Sequence, residues 1–372
     1  MPELRWWIVV AALTSLAASA CGGEAPTGAT PGDPTSADSD PTSPSGGSSS
    51  SGSAAPGGSS PGSSSGGTAP GAACFGAPPS GATLARPLPA YTGGACPALV
   101  RGENTITSAG HTRKFLLAAP SSPAPGVKLP VVFLWHWLGG SAQKFFDTAD
   151  VQAAVEQQGF IAIAPVAKGD LPVHWPSNII DSSARQNEEY VFFDDMLACA
   201  AAEFEVNENC VSTAGVSAGA LFVDQLSSGR ADRLASVISL SGGVGGVIKP
   251  WGHPSHRMPA MVLWGGPGDT CGGVMSFADL SRTLEDGLAK DGSFILECVH
   301  NCGHSAPPFE APSGLSTYAG LWDFAMNHPY WLAPGESPFK TKGIPSSLPA
   351  WCGIGKGSAV PRTGACASKN NC

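Results

Sequence analysis

Between residues 129 and 299, short apolar runs alternate with helix-spaced segments, and this alternation restricts the possible folds more than any other feature of the chain. The runs are "LPVVFLWHW" (129–137), "FIAIAPVA" (160–167), "CVSTAGVS" (210–217), "LASVISLSGG" (234–243), "MPAMVLWGG" (258–266) and "SFILECV" (293–299). Near-continuous apolarity over so few residues is the pattern of a strand covered on both faces. Between them lie "FFDTADVQAAVEQQG" (145–159), "EEYVFFDDMLACAAAEF" (188–204), a segment from Ala218 onward, and "FADLSRTLEDGLAKDG" (277–292), all with helical spacing. An earlier strand, "TRKFLLAAP" (112–120), alternates and stops at a proline. Strands alternating with helices predict an α/β fold, a mostly parallel sheet with helices on both faces. In such sheets the chemistry sits in loops beyond the carboxyl ends of the strands. No internal repeat is visible.

The ends of the chain are of a different kind. Arg5 followed by "WWIVVAALTSLAASA" (6–20) reads as a signal peptide over 1–20, too short for a comfortable membrane span. It ends in Ala18-Ser19-Ala20-Cys21, which is lipobox-like with alanine in the usual leucine position and predicts lipidation at Cys21. Plain secretion is the alternative, and either reading exports the protein. Residues 21–73 are then the lipidated cysteine and a Gly/Ser/Pro tether, too poor in apolar side chains to offset the entropy of ordering. As a coil it would span roughly 40 Å. Residues 74–372 suit one large domain. The expected setting is the bacterial cell envelope, with the protein held to a membrane by its lipid or secreted, and monomeric.

A formal net charge of −9 with no basic run argues against nucleic acid as a partner. Of eleven cysteines, all but Cys21 form an even set that reads as disulfides in an exported chain. Spacing suggests Cys199 with Cys210, Cys271 with Cys302 and Cys298 with Cys352. The run Cys298-Val-His300-Asn-Cys302-Gly-His304 also resembles a zinc site, but ligands from one short segment would have to wrap tightly around the ion. No metal and no cofactor are expected.

Gly215-Val216-Ser217-Ala218-Gly219 falls where an apolar strand turns into a helix. Small flanking residues permit a strained turn there, with the helix N-terminus facing the hydroxyl. A serine hydroxyl needs a base to react at neutral pH, and the base needs an orienting acid. The strand "MPAMVLWGG" leads into Pro267-Gly268-Asp269, and one helix and one strand later "NCGHSAPP" places His304 in the next strand-end loop. Ser217, Asp269 and His304 therefore fall on one edge of the sheet. A loop-capping aspartate and a surface histidine are the plainer readings. Asp279 and Asp286 lie within the intervening helix and are poorer acids. Asp194 and Asp195 are expected to begin a helix and meet its electropositive end.

Over about 95–352 the chain resembles the α/β-hydrolase family, and within it secreted esterases related to polyhydroxybutyrate depolymerases and feruloyl esterases. The resemblance rests on "GHTRKFLLAAP", "HWLGG", "HWPSN", "FFDDMLACAAAEFEVNENCVSTAGVSAG", "WGGPGD", "CGHSAPP", "WDFAMNHPYWLAPGESPF" and "SSLPAWC". It implies an α/β-hydrolase fold and hydrolysis of a carboxylic ester through Ser217, His304 and Asp269, with a polyester, a plant cell-wall ester or a small acyl ester as substrate. It further implies an oxyanion hole from the amides of Ala218 and Leu138. Here His136-Trp137-Leu138-Gly139-Gly140 stands where many relatives read His-Gly-x-Gly-Gly, and His136 is expected to be structural. Trp137 and Trp175 are candidates for the walls of an acyl pocket, with buried packing as the alternative. Two other classes are an inactive binding lipoprotein of this fold, which an intact triad argues against, and a serine peptidase, for which no propeller-like domain is present.

Overall fold

The computed structural model describes residues 72–367 and 370–371. The expected signal peptide, Cys21 and all but the last residues of the tether lie outside the described residues.

Thirteen strands occur among the described residues: β1 (Gly102–Ser108), β2 (His111–Ala118), β3 (Leu129–Trp135), β4 (Ile161–Pro165), β5 (Val206–Val216), β6 (Ser236–Leu240), β7 (Ala260–Trp264), β8 (Thr270–Cys271), β9 (Met275–Ser276), β10 (Ile295–Val299), β11 (Gly303–His304), β12 (Cys352–Ile354) and β13 (Asn370–Asn371). The helices are α1 (Ala142–Thr148), α2 (Val151–Gln158), α3 (Ser183–Glu203), α4 (Ala218–Gly229), α5 (Phe277–Asp291), α6 (Ala319–Asn327) and α7 (Pro338–Lys342).

Nine strands form one sheet in the order β1-β2-β4-β3-β5-β6-β7-β10-β12. The six apolar runs are its central parallel strands, β4 to β10. Antiparallel strands close both edges: β1 and β2 on one side, β12 on the other. Alternate residues of each central strand enter two cores. Val131, Phe133 and Trp135 pack with Phe192, Phe193 and Phe222 of α3 and α4, while Val132 and Leu134 pack with Phe145, Val155 and Trp322 of α1, α2 and α6. This two-sided burial is why the strands are mostly apolar, the polar exceptions being buried residues such as Ser212, Ser236, Ser239 and Glu297.

The segment expected as one helix over 145–159 is two. Asp150 takes a left-handed conformation, with φ 45°, between α1 and α2, and aspartate is among the few residues that tolerate it. Asp194 and Asp195 do not begin a helix but lie well inside α3, whose N-cap is Ser182. Asp194 pairs with Arg230 at 2.7 Å, and Asp195 accepts from the amide and hydroxyl of Thr92 at 2.8 and 2.6 Å. Their partners come from distant chain, which helical spacing cannot reveal.

The disulfides correct two of the three expected pairings. Cys298 does pair with Cys352. Cys210 instead pairs with Cys74, Cys199 with Cys96, and Cys302 with Cys366. Cys271 is also disulfide-bonded. For Cys199 and Cys210 the physical reason is the N-terminal arm before β1, which is stapled to α3 and β5 by Cys96 and Cys74; for Cys302 it is the C-terminal tail, which brings Cys366 to it. Several disulfides in one chain point to an oxidising, extracytoplasmic compartment. Among the described residues no helix is long and apolar enough to cross a membrane.

Candidate active site

Ser217 stands between the end of β5 and the first residue of α4, with φ 54° and ψ −119°. A non-glycine residue at positive φ is strained and needs its surroundings to hold it. Here the Ser217 amide donates to the Leu240 carbonyl at 2.9 Å, and its carbonyl accepts from Leu221 at 2.9 Å. The flanking glycines are required for close approach. A Cβ on Gly215 would lie 2.4 Å from the Gly219 oxygen, and one on Gly219 would lie 2.0 Å from the Trp135 oxygen. The turn is therefore wedged against the end of β3, and the serine hydroxyl is pushed out at the top of the sheet.

His304 lies in β11, in the loop after β10, with Nε2 2.8 Å from Ser217 Oγ. Its Nδ1 is 2.6 Å from Asp269 Oδ1. A carboxylate can only accept, so Nδ1 carries the proton and Nε2 presents its lone pair to the hydroxyl. Asp269 follows β7 through a 3-10 turn and is 0% exposed. Its second oxygen accepts from the Ser241 hydroxyl and the Gly265 amide, both at 2.7 Å. Phe277, the first residue of α5, stacks on the imidazole with ring centroids 4.1 Å apart. The loops carrying acid and histidine touch directly, since Gly303 donates to the Gly265 oxygen at 3.2 Å. Asp279 and Asp286 sit on α5, paired with Arg282 and Lys356 rather than with the histidine.

Nearby histidines are electrically quiet. Burial pushes His136 down to about 4, and its Nδ1 lies 3.1 Å from the Trp137 carbonyl, to which it donates. Burial also lowers His300 to about 4, where its Nδ1 accepts from the Cys302 amide at 3.2 Å. Both stay neutral near pH 7, which leaves His304 as the imidazole aimed at the serine. Cys298 and Cys302 are committed to disulfides rather than held free for a metal.

Ala218 opens α4, where the first backbone amides have no intrahelical partner and the helix dipole is positive. The loop over 136–140 is held beside it, because a Cβ on Gly219 would also meet the His136 oxygen at 2.8 Å. Two further bonds steady this loop: Trp175 Nε1 donates to the His136 carbonyl at 2.8 Å, and the Gly139 amide donates to His174 Nε2 at 3.3 Å. Leu138 is half-buried within it. Trp137 is half-buried too, and its ring covers Gly140, where a Cβ would meet it at 2.8 Å.

Trp175 is placed differently from the pocket wall considered above. It is fully buried and packs edge-on against Trp135 at 4.9 Å, so it braces the 136–140 loop from inside the core. Leu221, Ile248 and Phe277 form a small apolar cluster beside the serine and histidine, with Val247, Met275 and Leu280 against it. Sequence reasoning passed over Ser241 and Phe277. Ser241 directly follows β6, so the strand-end rule that singled out Asp269 and His304 applied to it equally. Phe277 gave no signal beyond an apolar position on a helix.

No family model matches the chain. A feruloyl esterase D of Neurospora crassa is 26% identical over 162 residues, covering 43% of this chain. The match spans 56% of that relative's length. Among solved structures, native pOPH superposes with a TM-score of 0.54 at 16% identity, covering 70% of this chain and 97% of that one. Native sOPH gives 0.53 at 17% identity, covering 70% and 97%. At such identities the likeness is one of fold.

Proposed function

We propose that this chain, which has the α/β-hydrolase fold, is a serine carboxylic ester hydrolase working through an acyl-enzyme. The observation that carries the reading is the continuous relay from Ser217 Oγ through the His304 ring to a wholly buried Asp269, with the serine in a strained turn at a helix N-terminus. The feruloyl esterase likeness points the same way.

In this mechanism Ser217 Oγ attacks the ester carbonyl carbon while His304 Nε2 takes the hydroxyl proton. The carbonyl oxygen becomes an oxyanion, received by the Ala218 and Leu138 amides. Asp269 stabilises the imidazolium without taking its proton. The tetrahedral intermediate collapses, the C–O bond to the alcohol breaks, and His304 returns the proton to the leaving alkoxide. Water then enters, loses a proton to Nε2 and attacks the acyl carbon; collapse frees the carboxylic acid and restores Ser217. The half-buried Val247, Met275 and Leu280, packed on the buried cluster of Leu221, Ile248 and Phe277, support a substrate with apolar parts flanking the ester. Trp137 is the remaining aromatic candidate for a substrate wall.

Ser217→Ala is expected to lower ester hydrolysis on the order of 10⁴-fold or more with an unchanged fold. The readout is turnover of p-nitrophenyl acetate, butyrate and octanoate beside methyl ferulate and polyhydroxybutyrate. Retention of more than about a tenth of the activity would overturn the assignment. The lipid anchor at Cys21 belongs to the same reading and rests on the sequence alone. Cys21→Ser is expected to move the protein from membranes to the soluble fraction with unchanged turnover. Unaltered fractionation, with or without globomycin, would rule the anchor out.

A further inference from the structure

We infer that Ser241 is a positioning residue for the acid: its hydroxyl holds the Asp269 carboxylate in the rotation that serves His304. The inference rests on the ester hydrolase reading for its kinetic consequences but on geometry for its substance. Asp269 is wholly buried, so each of its oxygens needs donors. Oδ1 has the histidine, and Oδ2 has the Ser241 hydroxyl and the Gly265 amide. The Gly265 amide comes from the strand end that leads into the acid. Ser241 follows a different strand, β6, and ties the carboxylate to the part of the sheet whose Leu240 carbonyl also anchors the serine.

Ser241 is itself held in an uncommon state. Its φ is 50°, in the left-handed region that serine seldom occupies. The conformation persists because both sides of the residue are fastened. Its amide donates to the Leu263 carbonyl at 2.7 Å. Two residues on, the Gly243 amide donates to Asp224 Oδ2 at 2.7 Å. Asp224 also accepts from the Ser239 hydroxyl at 3.0 Å and is buried on α4. Between these ties Gly242 leaves no room for a side chain, since a Cβ would lie 2.3 Å from Ser239 Oγ and 2.6 Å from the Ala220 Cβ. The helix that begins behind Ser217 therefore fastens the loop whose serine holds Asp269. Nucleophile and acid share one support, and a rotation of the carboxylate would have to break the Ser241 bond along with those to Gly265 and His304. Strain kept at a site where a specific hydroxyl is aimed at a reacting assembly is the pattern of preorganisation.

Ser241→Ala and Ser241→Gly separate the hydroxyl from the backbone. Glycine relieves the positive φ, so a role confined to backbone shape would leave Ser241→Gly at least as active and as stable as the wild type. A role through the hydroxyl makes both variants lose kcat, by roughly 10-fold, with KM within about twofold. In the Asp269→Asn background, Ser241→Ala is expected to change kcat by less than about twofold, because coupled residues do not add. The far-downfield proton resonance of His304 Nδ1–H is expected to shift in Ser241→Ala. If the alanine variant fails to fold, the glycine variant carries the same comparison. Wild-type kcat in both variants, or equal losses with and without Asp269, would overturn the inference. A wild-type protein that hydrolyses no ester would sink the ester reading instead, and the Nδ1–H resonance would then decide the positioning of Asp269 by itself: unshifted in both variants, it overturns the inference.

Discussion

The serine and histidine halves of the site reach the same precision by opposite means. Ser217 is set by its immediate neighbours: five consecutive residues, two of them glycines with no room for a Cβ, make the turn against the end of β3. His304 is set by chain from far away. Cys302 is bonded to Cys366, 64 residues on in sequence. The Arg362 amide donates to the Val299 carbonyl at 2.9 Å, its guanidinium donates to Asn301 Oδ1 at 2.8 Å, and Asn301 donates to the Gly364 carbonyl at 2.8 Å. β11, which contains His304, pairs in parallel with β13 near the end of the chain. The direction of the Ser217 hydroxyl is set mostly by this local turn, with the Leu240 carbonyl and the end of β3 holding its strained backbone in place. A histidine loop between a strand and a long irregular segment has no such constraint of its own, so the C-terminal tail straps it down.

The largest effect that tests this contrast comes from the acid that links the halves. Asp269→Asn is expected to fold normally yet lose roughly 10²- to 10⁴-fold in kcat, less than Ser217→Ala, because the serine and oxyanion donors remain. Steady-state kinetics beside Asp279→Asn and Asp286→Asn checks it. Those two substitutions on α5 are expected to cost little, and a reversal of the order would mean the acid is misassigned.

Next come two disulfides, one in the loop that carries His304 and one on the central strand that leads to Ser217. Opening Cys302–Cys366 with paired serines is expected to lower kcat by roughly 10-fold, since small misplacements of a catalytic group are costly. Opening Cys74–Cys210, within β5 and seven residues before Ser217, is expected to leave kcat within about twofold. Each loss is expected to cost about 2–5 kcal/mol of stability. Paired measurements of thermal unfolding and kcat distinguish the cases. Equal kcat losses in both would show that the tail acts only as general reinforcement.

The smallest effect concerns a buried carboxyl in the histidine half. Glu285 on α5 is raised to about 8, first by burial and then by the nearby charge of Glu297. Glu297 lies on β10 and accepts from the Ala359 amide of the tail at 2.9 Å. A raised carboxyl favours the folded state below its unfolded value of 4.5 and loses that contribution as pH rises through about 8. Wild-type stability is therefore expected to fall across that window more steeply than that of Glu285→Gln. Melting temperatures of both proteins at acid, neutral and mildly alkaline pH decide it, and parallel profiles would remove Glu285 from the account.

The parallel core was legible because strands buried on both faces can hold almost no polar residue, and that is a local property of each run. Ser217 was legible for a similar reason, since a strand-to-helix turn this tight demands small neighbours. Asp269 and His304 could be placed because each strand–helix–strand unit returns the chain to the same edge. The split between α1 and α2 leaves no mark in the sequence, because an aspartate that takes the left-handed conformation looks the same as one within a helix. The partners of Asp194 and Asp195, the burial of Trp175, the Ser241 bond to Asp269 and the pairing of Cys74, Cys96 and Cys366 were decided only by tertiary structure. Each joins segments separated by tens of residues or more, and such contacts depend on how the whole sheet stacks its strands. Periodicity and turn chemistry act over a few residues and therefore determine elements and their order; which distant side chains meet is settled by packing.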